Sequence, residues 1–303
     1  MLFCTYINLT LVKFSANIFV KGDIIFMDQI IHKMQDMTHL IWTQERESSG
    51  TAGSFLKSYE KRADGKIYYK LSNYNSVDGI TGHECINEII VDRLLTLLHI
   101  EHLSYQLIHA MITIDNKQME TWLCASKDFK KPGEDKIAFD VYYEAEKTFG
   151  ETPLDFCIRA HWQKNIYEMF LVDFLILNRD RHGGNIEILR NKKNQTMRLA
   201  PLFDHGLSFF CRNENDVTLD KIDIMEDKRI QCFMGKSSAW ENLSLIPVGQ
   251  EPEVEPLKKE DIPSITAGLE GIISEKRIRL TQEMIWKRWE KYESFCNQRK
   301  RYR

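Results

Sequence analysis

The chain has 303 residues, of which 43% are hydrophobic and 28% charged, and its formal net charge is −3. This composition is typical of a globular protein with room for two lobes of ordinary domain size, each with its own core, and the slightly acidic balance argues against general nucleic-acid binding through a basic surface. The sequence also lacks an apolar run long enough to span a bilayer.

Seven cysteines are scattered along the chain without any Cys-x-x-Cys pair. This pattern predicts free thiols in a reducing compartment, and therefore a cytoplasmic protein without a structural zinc site. Residues 1–26 are fairly apolar but have no basic start and are interrupted by Lys13 and Lys21, so they fit a secretory signal poorly. They form either an additional strand or helix, or an extension that precedes a start at Met27.

The predicted elements after this extension begin with a helix and three strands. Residues 27–38 are a helical candidate, and residues 39–44 and 54–60 are predicted strands on either side of a small-residue loop. Asp64-Gly65 then predicts a two-residue hairpin that leads into a strand over residues 67–71. Alternation places side chains on opposite faces of this strand. Lys66, Tyr68 and Lys70 share one face, and Ile67, Tyr69 and Leu71 share the other.

The most regular helix of the first half is predicted over residues 84–100, where six aliphatic side chains recur at helical spacing. These are Ile86, Ile89, Ile90, Leu94, Leu97 and Leu98. Two strands are predicted next, at residues 103–114 and 121–125, with a turn at Asp115-Asn116-Lys117 between them. The first half is therefore mainly β-structure with one main helix.

Helical patterns dominate beyond the Lys130-Lys131-Pro132-Gly133 segment. They predict helices over residues 137–149, 153–177, 258–269 and 273–299. A hairpin of residues 186–189 and 196–199 is predicted between the second and third of these helices. The fold class is thus α+β. A β-rich first lobe at residues 27–130 follows the extension 1–26, and a mostly helical second lobe covers residues 131–303.

Three polar side chains flank the predicted hairpin. Asp180 and Asn185 precede it in Asp-Arg-His-Gly-Gly-Asn, and Asp204 follows it in Pro-Leu-Phe-Asp-His-Gly. Phosphoryl transfer from a magnesium nucleotide needs such a set: a carboxylate to orient the attacking hydroxyl, a neutral oxygen ligand for the metal, and a second carboxylate on the metal. The alternatives are a polar helix-to-strand connection for the first pair, and a turn or helix N-cap for Asp204.

These two motifs resemble the catalytic and metal-binding motifs of HipA-like kinases, a family in the broader group shared with phosphatidylinositol kinases. The resemblance extends over roughly residues 40–210 and is sharpest over residues 178–206. It implies a bilobal protein-kinase-like fold, in which Asp180 orients the substrate hydroxyl and Asn185 and Asp204 hold Mg²⁺. His182 either assists the proton transfer or hydrogen-bonds the loop, and the second role is favoured. His205 replaces the Phe of the protein-kinase Asp-Phe-Gly motif.

Lys70 is the candidate for the strand lysine that contacts nucleotide phosphates in kinase-like folds, and it then needs a carboxylate partner from the main helix. Glu84, Glu88 and Asp92 follow one another at four-residue spacing and form one acidic face. Glu88 is the predicted partner because it lies nearest the middle of the helix, and the other two are expected to be solvated. The alternative for Lys70 is an ordinary surface lysine.

Two further segments are candidate parts of an ATP site. The loop 48–53 lacks Gly-x-Gly-x-x-Gly, but its small residues would let main-chain amides approach phosphates. The residues assigned to this contact are Ser49, Gly50, Thr51, Ala52 and Gly53. Its hydroxyls are candidates for self-phosphorylation, and a plain surface loop is the alternative. At the end of the last first-lobe strand, Cys124, Ala125 and Ser126 are expected to form the hinge whose main chain contacts adenine.

The predicted function is therefore an ATP- and Mg²⁺-dependent HipA-like kinase that phosphorylates a Ser or Thr hydroxyl of a protein. The resemblance also implies a small antitoxin-like protein partner, whereas direct nucleic-acid binding and membrane association are not expected. Two alternatives remain open. One is a lipid or small-molecule kinase of the phosphatidylinositol-kinase-like type, although the sequence has no evident basic amphipathic surface. The other is a nucleotide-binding pseudokinase or toxin-like interaction module.

Overall fold

The structure is a computed structural model that describes residues 18–20, 23–25, 29–43, 55–63, 65–211 and 215–301. The predicted small-residue loop 48–53 lies outside these residues, as do Asp64 and most of the extension 1–26. Within the extension, β1 (Ile18–Val20) and β2 (Asp23–Ile25) pair in antiparallel orientation.

The first lobe is built on a five-stranded sheet and one long helix. Its elements are β3 (Ile30–Asp36), β4 (Lys57–Arg62), β5 (Gly65–Leu71), β6 (Tyr74–Asn75), β7 (Gly79–Ile80), α1 (Glu84–Leu97), β8 (Tyr105–Ile114) and β9 (Lys117–Lys127). The large sheet has the spatial order β3-β8-β9-β5-β4, with β3 parallel to β8 and all other pairs antiparallel. Strands β6 and β7 form a separate small hairpin.

Strand β5 has the alternation that the sequence predicts. Ile67, Tyr69 and Leu71 are buried, while Lys70 is on the opposite face of the strand. Strands β4 and β5 pair from Lys57 opposite Lys70 to the last residues before the turn, so the predicted hairpin joins them. This register brings the two lysines together on one sheet face, because cross-strand partners share a face.

Two predictions for residues 27–44 are wrong. The helical candidate at residues 27–38 is instead strand β3 from Ile30 onward, because the chain there pairs with β8. The predicted strand at residues 39–44 does not form over its described part, 39–43. Asp36 Oδ1 accepts a hydrogen bond from Thr38 N at 3.0 Å, and this turn ends β3. Thr43 then makes an isolated bridge to Lys57.

The second lobe combines a small antiparallel sheet with a helical assembly. Its elements are β10 (Glu134–Ala138), α2 (Phe139–Glu146), α3 (Pro153–Arg159), α4 (Gln163–Ile176), β11 (Asp180–Arg181), β12 (Glu187–Asn191), β13 (Thr196–Leu199), α5 (Asp216–Leu219), β14 (Gln231–Cys232), α6 (Ala239–Leu243), α7 (Ile262–Thr266) and α8 (Glu275–Lys300). Short 3₁₀ turns occur at Gly183–Asn185 and Lys259–Asp261. The predicted hairpin is confirmed as β12–β13, and the last predicted helix is confirmed as α8.

Three predicted helices of the second lobe are too long. The first begins only at Phe139, because the residues before it form β10 and pair with β12. The second, at residues 153–177, is divided into α3 and α4 at His161, whose φ of +61° is left-handed and incompatible with a continuous helix. The third, at residues 258–269, contains a 3₁₀ turn and the five-residue α7.

Helix α1 packs into a core that both lobes share. Ile89 and Leu94 of α1 belong to the same buried cluster as Phe170 of α4 and Trp289 of α8. A smaller cluster, which includes Ile67, covers the other face of the five-stranded sheet. The expectation of a separate core in each lobe therefore holds only for that outer face.

Two sequence-level expectations concern the environment of the chain. The six cysteines that the structure describes are all free thiols, as the sequence predicts. Among the helices of the described residues, none has both the length and the apolar character that a membrane crossing requires.

Candidate active site

A cleft of about 340 Å³ lies between the five-stranded sheet and the second lobe. Its first-lobe wall includes Lys70 on β5 and Cys124 on β9, and its second-lobe wall includes Asn185 and Asp204. Lys70 and Asp204, which are 134 positions apart in the chain, therefore meet in one cavity. Closed on two sides and lined by charged groups, such a cleft has the general form of a ligand-binding site.

Lys70 forms the electrostatic centre of this cleft. Its Nζ contacts Asp204 Oδ1 and lies 3.0 Å from Glu88 Oε1. The Lys70 side chain is only 12% exposed and that of Glu88 is fully buried, which excludes an ordinary surface lysine. Burial disfavours the ammonium, but attraction from Asp204 and Glu88 outweighs it, so the pKa of Lys70 is raised well above its ordinary value. The lysine is therefore charged.

The acidic residues of α1 are all buried, so the expectation that two of them are solvated is wrong. Glu84 Oε2 accepts a hydrogen bond from Asn73 N at 3.0 Å. Asp92 accepts from Tyr105 N at 2.6 Å and lies 2.9 Å from His102 Nε2. Helix α1 is enclosed by the sheet on one side and the second lobe on the other. Each carboxylate therefore needs a partner to offset its desolvation.

The loop that carries Asp180 and Asn185 is closed by its own hydrogen bonds. Asn185 Nδ2 donates to the Asp180 carbonyl at 2.9 Å, which directs the amide nitrogen into the loop. His182 Nδ1 accepts from Gly184 N at 3.1 Å, and its Nε2 lies 3.9 Å from Asp180 Oδ2. The favoured role of His182, hydrogen bonding within the loop, agrees with this geometry. The Asp180 carboxylate is partly exposed, and Asp180 is not among the residues that line the cleft.

Asp204 adopts a backbone conformation that needs support from its surroundings. Its φ of +59° is left-handed, which costs a non-glycine residue about 1 kcal/mol. Besides the Lys70 contact, Asp204 N donates to Tyr105 Oη at 3.4 Å, and His205 N donates to Glu88 Oε2 at 2.9 Å. These contacts hold the Asp204–His205 segment against α1 and β8, and they keep the Asp204 carboxylate directed towards Lys70.

His205, the residue after Asp204, is fully enclosed. Burial and the positive charge of Arg181 lower its pKa well below the ordinary value, so the imidazole is neutral. On the next residue, the Gly206 carbonyl accepts a hydrogen bond from Asn87 Nδ2 at 2.7 Å. A neutral ring packed inside the protein serves the same space-filling purpose as an aromatic side chain.

The residues of the predicted hinge, 124–126, belong to a strand in the interior of the sheet. Cys124, Ala125 and Ser126 lie inside β9, and their main chain is paired with β5 on one side and β8 on the other. The cleft is lined by the side chains of Cys124 and Ser126, whereas Ala125 is buried on the opposite face. Strand β8 begins at Tyr105, opposite Ser126 of β9. The last residue of β9, Lys127, therefore lies beyond the start of β8, and it also lines the cleft.

The cleft suits a divalent cation that is held jointly with a nucleotide. Within the described part of the chain, no three or more His, Cys, Asp or Glu side chains are grouped to hold a metal by themselves. Asn185 and Asp204 supply oxygen atoms at one wall, and Mg²⁺ commonly takes one or two protein ligands plus phosphates and water. In addition, Glu88 and Asp204 share the single Lys70 ammonium, which leaves the cluster with a net negative charge. The residues therefore fit Mg²⁺.

The buried groups below the cleft are not predicted by the sequence patterns described above. Arg181 and Asp173 form an ion pair at 2.8 Å, and both are almost completely buried. Tyr105, which bonds to Asp204 N, was likewise not identified. One signal was present: Asp173 is the only charged residue in the apolar run from residue 169 to residue 177, nearly all of which belongs to α4. A lone carboxylate in such a run requires a buried partner.

Comparisons with known proteins support the fold. No protein-family model matches the chain, and no curated protein matches its sequence. Among solved structures, the Helicobacter pylori proinflammatory kinase CtkA is similar, with a TM-score of 0.55, 19% identity, and coverage of 84% of this chain and 93% of that one. HipA of Shewanella oneidensis MR-1, solved with HipB and its operator DNA, has 12% identity and covers 84% and 60%, with a TM-score of 0.35.

At these identities the likeness concerns the fold. The chain has the bilobal α+β architecture predicted from its resemblance to HipA-like kinases, with a β-rich first lobe and a mostly helical second lobe. The likeness to CtkA extends over most of both chains.

Proposed function

We propose that this chain is an ATP- and Mg²⁺-dependent kinase that phosphorylates a Ser or Thr hydroxyl of a protein. The observation that carries the proposal is the charged cluster in the interlobe cleft. There Lys70 contacts both Glu88 and Asp204, and Asn185 lies on the same second-lobe wall as Asp204. A strand lysine held by a helix carboxylate beside an Asp/Asn pair is the arrangement that phosphoryl transfer from a nucleotide requires.

Each residue has a specific task in this proposal. Lys70 binds nucleotide phosphates, and Glu88 keeps its ammonium in place. Asp180 orients the acceptor hydroxyl and receives its proton while the new oxygen–phosphorus bond forms and the bond to the ADP oxygen breaks. Asn185 and Asp204 would hold Mg²⁺, which when bound neutralises phosphate charge.

The adenine ring is proposed to lie at the edge of β9. Cys124 and Ser126 would contact it through their side chains, and the main chain of Lys127 would contact its polar edge. The loop residues 49–53 remain proposed phosphate contacts, and their hydroxyls remain proposed sites of self-phosphorylation. The free thiols support a reducing, cytoplasmic location. A small antitoxin-like partner is part of the proposal through the sequence resemblance alone.

Replacing the two key carboxylates tests this function. Asp180→Ala and Asp204→Ala should each reduce transfer of labelled γ-phosphate to protein by at least about 10³-fold, because each removes a group required in the transition state. Phosphate incorporation is measured with generic protein substrates, with the chain itself, and with inositol lipids. Asp135→Ala, which changes an exposed aspartate of β10, is the matched control and should keep full activity.

Circular dichroism must show that the variants remain folded. Wild-type transfer by Asp204→Ala would refute the metal assignment. Phosphorylation of inositol lipids without phosphorylation of protein would instead establish the lipid-kinase alternative, and nucleotide binding without any transfer would establish the pseudokinase alternative.

A further inference from the structure

A buried ion pair lies directly beneath the catalytic loop. Arg181 Nε lies 3.0 Å from Asp173 Oδ2, and Arg181 Nη2 lies 2.8 Å from Asp173 Oδ1. The Arg181 side chain is 1% exposed and that of Asp173 is 4% exposed. The proposed function assigns no role to either residue, although burying two charges is costly and such pairs are weak evidence for stability in themselves.

The rest of the Arg181 guanidinium is bonded to both segments that carry the proposed metal ligands. Its Nη1 donates to the Phe203 carbonyl at 3.0 Å, one residue before Asp204. The same nitrogen lies 3.4 Å from the main-chain carbonyl of Asn185. One planar group therefore connects the two segments of the second-lobe wall from which Asn185 and Asp204 project.

Asp173 also connects the Arg181 guanidinium to the segment that carries Asp180. Its Oδ1 accepts a hydrogen bond from Asn178 Nδ2 at 3.0 Å. Asn178 Oδ1 in turn accepts from Asp180 N at 3.2 Å, and Asn178 is completely buried. Asp173 belongs to α4, a helix buried in the shared core, so it provides a rigid reference point for all three segments.

We propose that Arg181, held by Asp173, is a positioning residue that sets the separation of Asn185 and Asp204 and thereby the affinity of the cleft for its divalent cation. This inference rests on the proposed function. A guanidinium suits the task because its donors are fixed in one plane and can satisfy a carboxylate and two carbonyls together. A lysine ammonium cannot span these acceptors, although it keeps the charge. Partners of this kind outside the ligand set commonly change metal affinity by about 10–100-fold when they are replaced.

The test compares two conservative substitutions of buried arginines. Arg181→Lys changes the proposed brace, and Arg288→Lys is the matched control. Arg288 on α8 is equally buried and donates to the carbonyls of Ile224, Phe174 and Glu226, which do not line the cleft. Both variants are expected to melt at lower temperature. Mn²⁺ affinity is then measured by calorimetric titration in the presence of a non-hydrolysable ATP analogue, and adenosine affinity is measured separately without metal.

The proposal expects Arg181→Lys to weaken Mn²⁺ binding at least tenfold while adenosine binds within twofold of wild type, and Arg288→Lys to change neither affinity. Folded Arg181→Lys that binds Mn²⁺ as tightly as wild type would overturn it. An equal loss of Mn²⁺ affinity in Arg288→Lys would also overturn it, because the effect would then follow from lower stability.

A second variant covers the case in which Arg181→Lys fails to fold. The double substitution Asp173→Leu with Arg181→Met replaces the ion pair by apolar side chains of similar size, which proteins often tolerate. It should bind adenosine normally and lose Mn²⁺ affinity to the same extent, and wild-type Mn²⁺ affinity in this variant would refute the brace. If the wild-type protein itself binds no Mn²⁺ with the analogue, the proposed function fails, which is a different outcome from a brace without effect.

Discussion

Glu88 and Asp204 compete for one ammonium at the centre of the cleft. Lys70 lies 3.0 Å from Glu88 Oε1 and also contacts Asp204. Glu88 has a second hydrogen bond from His205 N at 2.9 Å, so its position is set from two directions. Glu88 therefore holds the lysine, whereas Asp204 at the cleft surface is the carboxylate that a cation would engage.

The division of roles between these carboxylates predicts the effect of Glu88→Gln. Loss of the charged partner should cost about 2 kcal/mol of transition-state stabilisation, or about 30-fold in kcat/KM for ATP. Steady-state kinetics of phosphate transfer provides the measurement. Glu84→Gln is the control, since Glu84 is also buried on α1 but bonds to Asn73 N. A similar kinetic loss in both variants would show that general damage to α1 is responsible.

His83 predicts a loss of stability in mild acid. Burial and the charge of Arg277 lower its pKa from 6.5 to about 4. The unfolded chain therefore takes up this proton more readily, so the contribution of His83 is complete above about pH 6.5 and is lost as the pH falls towards 4. Its size is at most about 3 kcal/mol, and water around the partly exposed ring reduces it.

The measurement is the free energy of unfolding in urea between pH 4 and pH 7 for wild type and His83→Gln. The variant should show a shallower pH dependence. Some dependence should persist, because the pKa of His205 is lowered in the same direction. Identical slopes for the two proteins would contradict the prediction.

Helix α2 and the loop that carries Asp180 and Asn185 fit together because Gly183, which lies between them, has no side chain. A Cβ placed on Gly183 would lie 2.5 Å from the Cβ of Asp140, near the start of α2. Helix α2 itself is fixed by β10, which pairs with β12 on the far side of the loop. Strand β10, which takes up the first two residues of the helix predicted at 137–149, thus determines where α2 meets the loop.

This contact predicts that Gly183→Ala is harmful. The methyl group should displace the loop or the helix, lower stability by about 1–3 kcal/mol, and strongly reduce phosphate transfer. Denaturant unfolding and kinetics measure the two effects. Adding Asp140→Gly should restore both in part, since the Asp140 Cα still lies 3.2 Å from the new methyl group. No recovery in the double variant would show that the clash is not the cause.

Helix α1 joins the two lobes into one unit. Its apolar residues belong to the shared core, and Arg93 Nη1 donates to the carbonyls of Ile265 and Ala267 in the second lobe at 3.2 and 2.6 Å. Gln29 at the start of the first-lobe sheet accepts a bond from Arg93 Nε at 2.9 Å. The helix that carries Glu88 is therefore fixed to both lobes.

This arrangement predicts a single cooperative unfolding transition. Calorimetry should give equal calorimetric and van't Hoff enthalpies, as for a two-state protein. The fragment 29–130 should not fold by itself, because it would expose the face of α1 that the second lobe covers. Its NMR spectrum should lack dispersed amide signals. Two separate transitions, or a folded fragment, would show that the lobes are independent.

Much of the architecture can be predicted from the sequence because some signals are local. Turn residues and alternation identify the β4–β5 hairpin and the two faces of β5, and apolar spacing identifies α8. Likewise, Asp180, Asn185 and Asp204 stand out through their spacing around a hairpin. Each of these features depends on neighbours within about 25 residues, so the chain itself displays them.

Only the tertiary structure decides which partner occupies each face. Strand β3 takes the place of a predicted helix because β8, far along the chain, offers it a pairing edge. Residues 124–126 lie inside the sheet and Lys127 lies beyond the start of β8, because β8 begins opposite Ser126. The pairing of Arg181 with Asp173 depends on the enclosure of both residues. Sequence periodicity indicates whether a face of a helix or strand is apolar or charged. Contacts between segments that are distant in the chain supply the free energy of burial and pairing, and these contacts decide what covers that face.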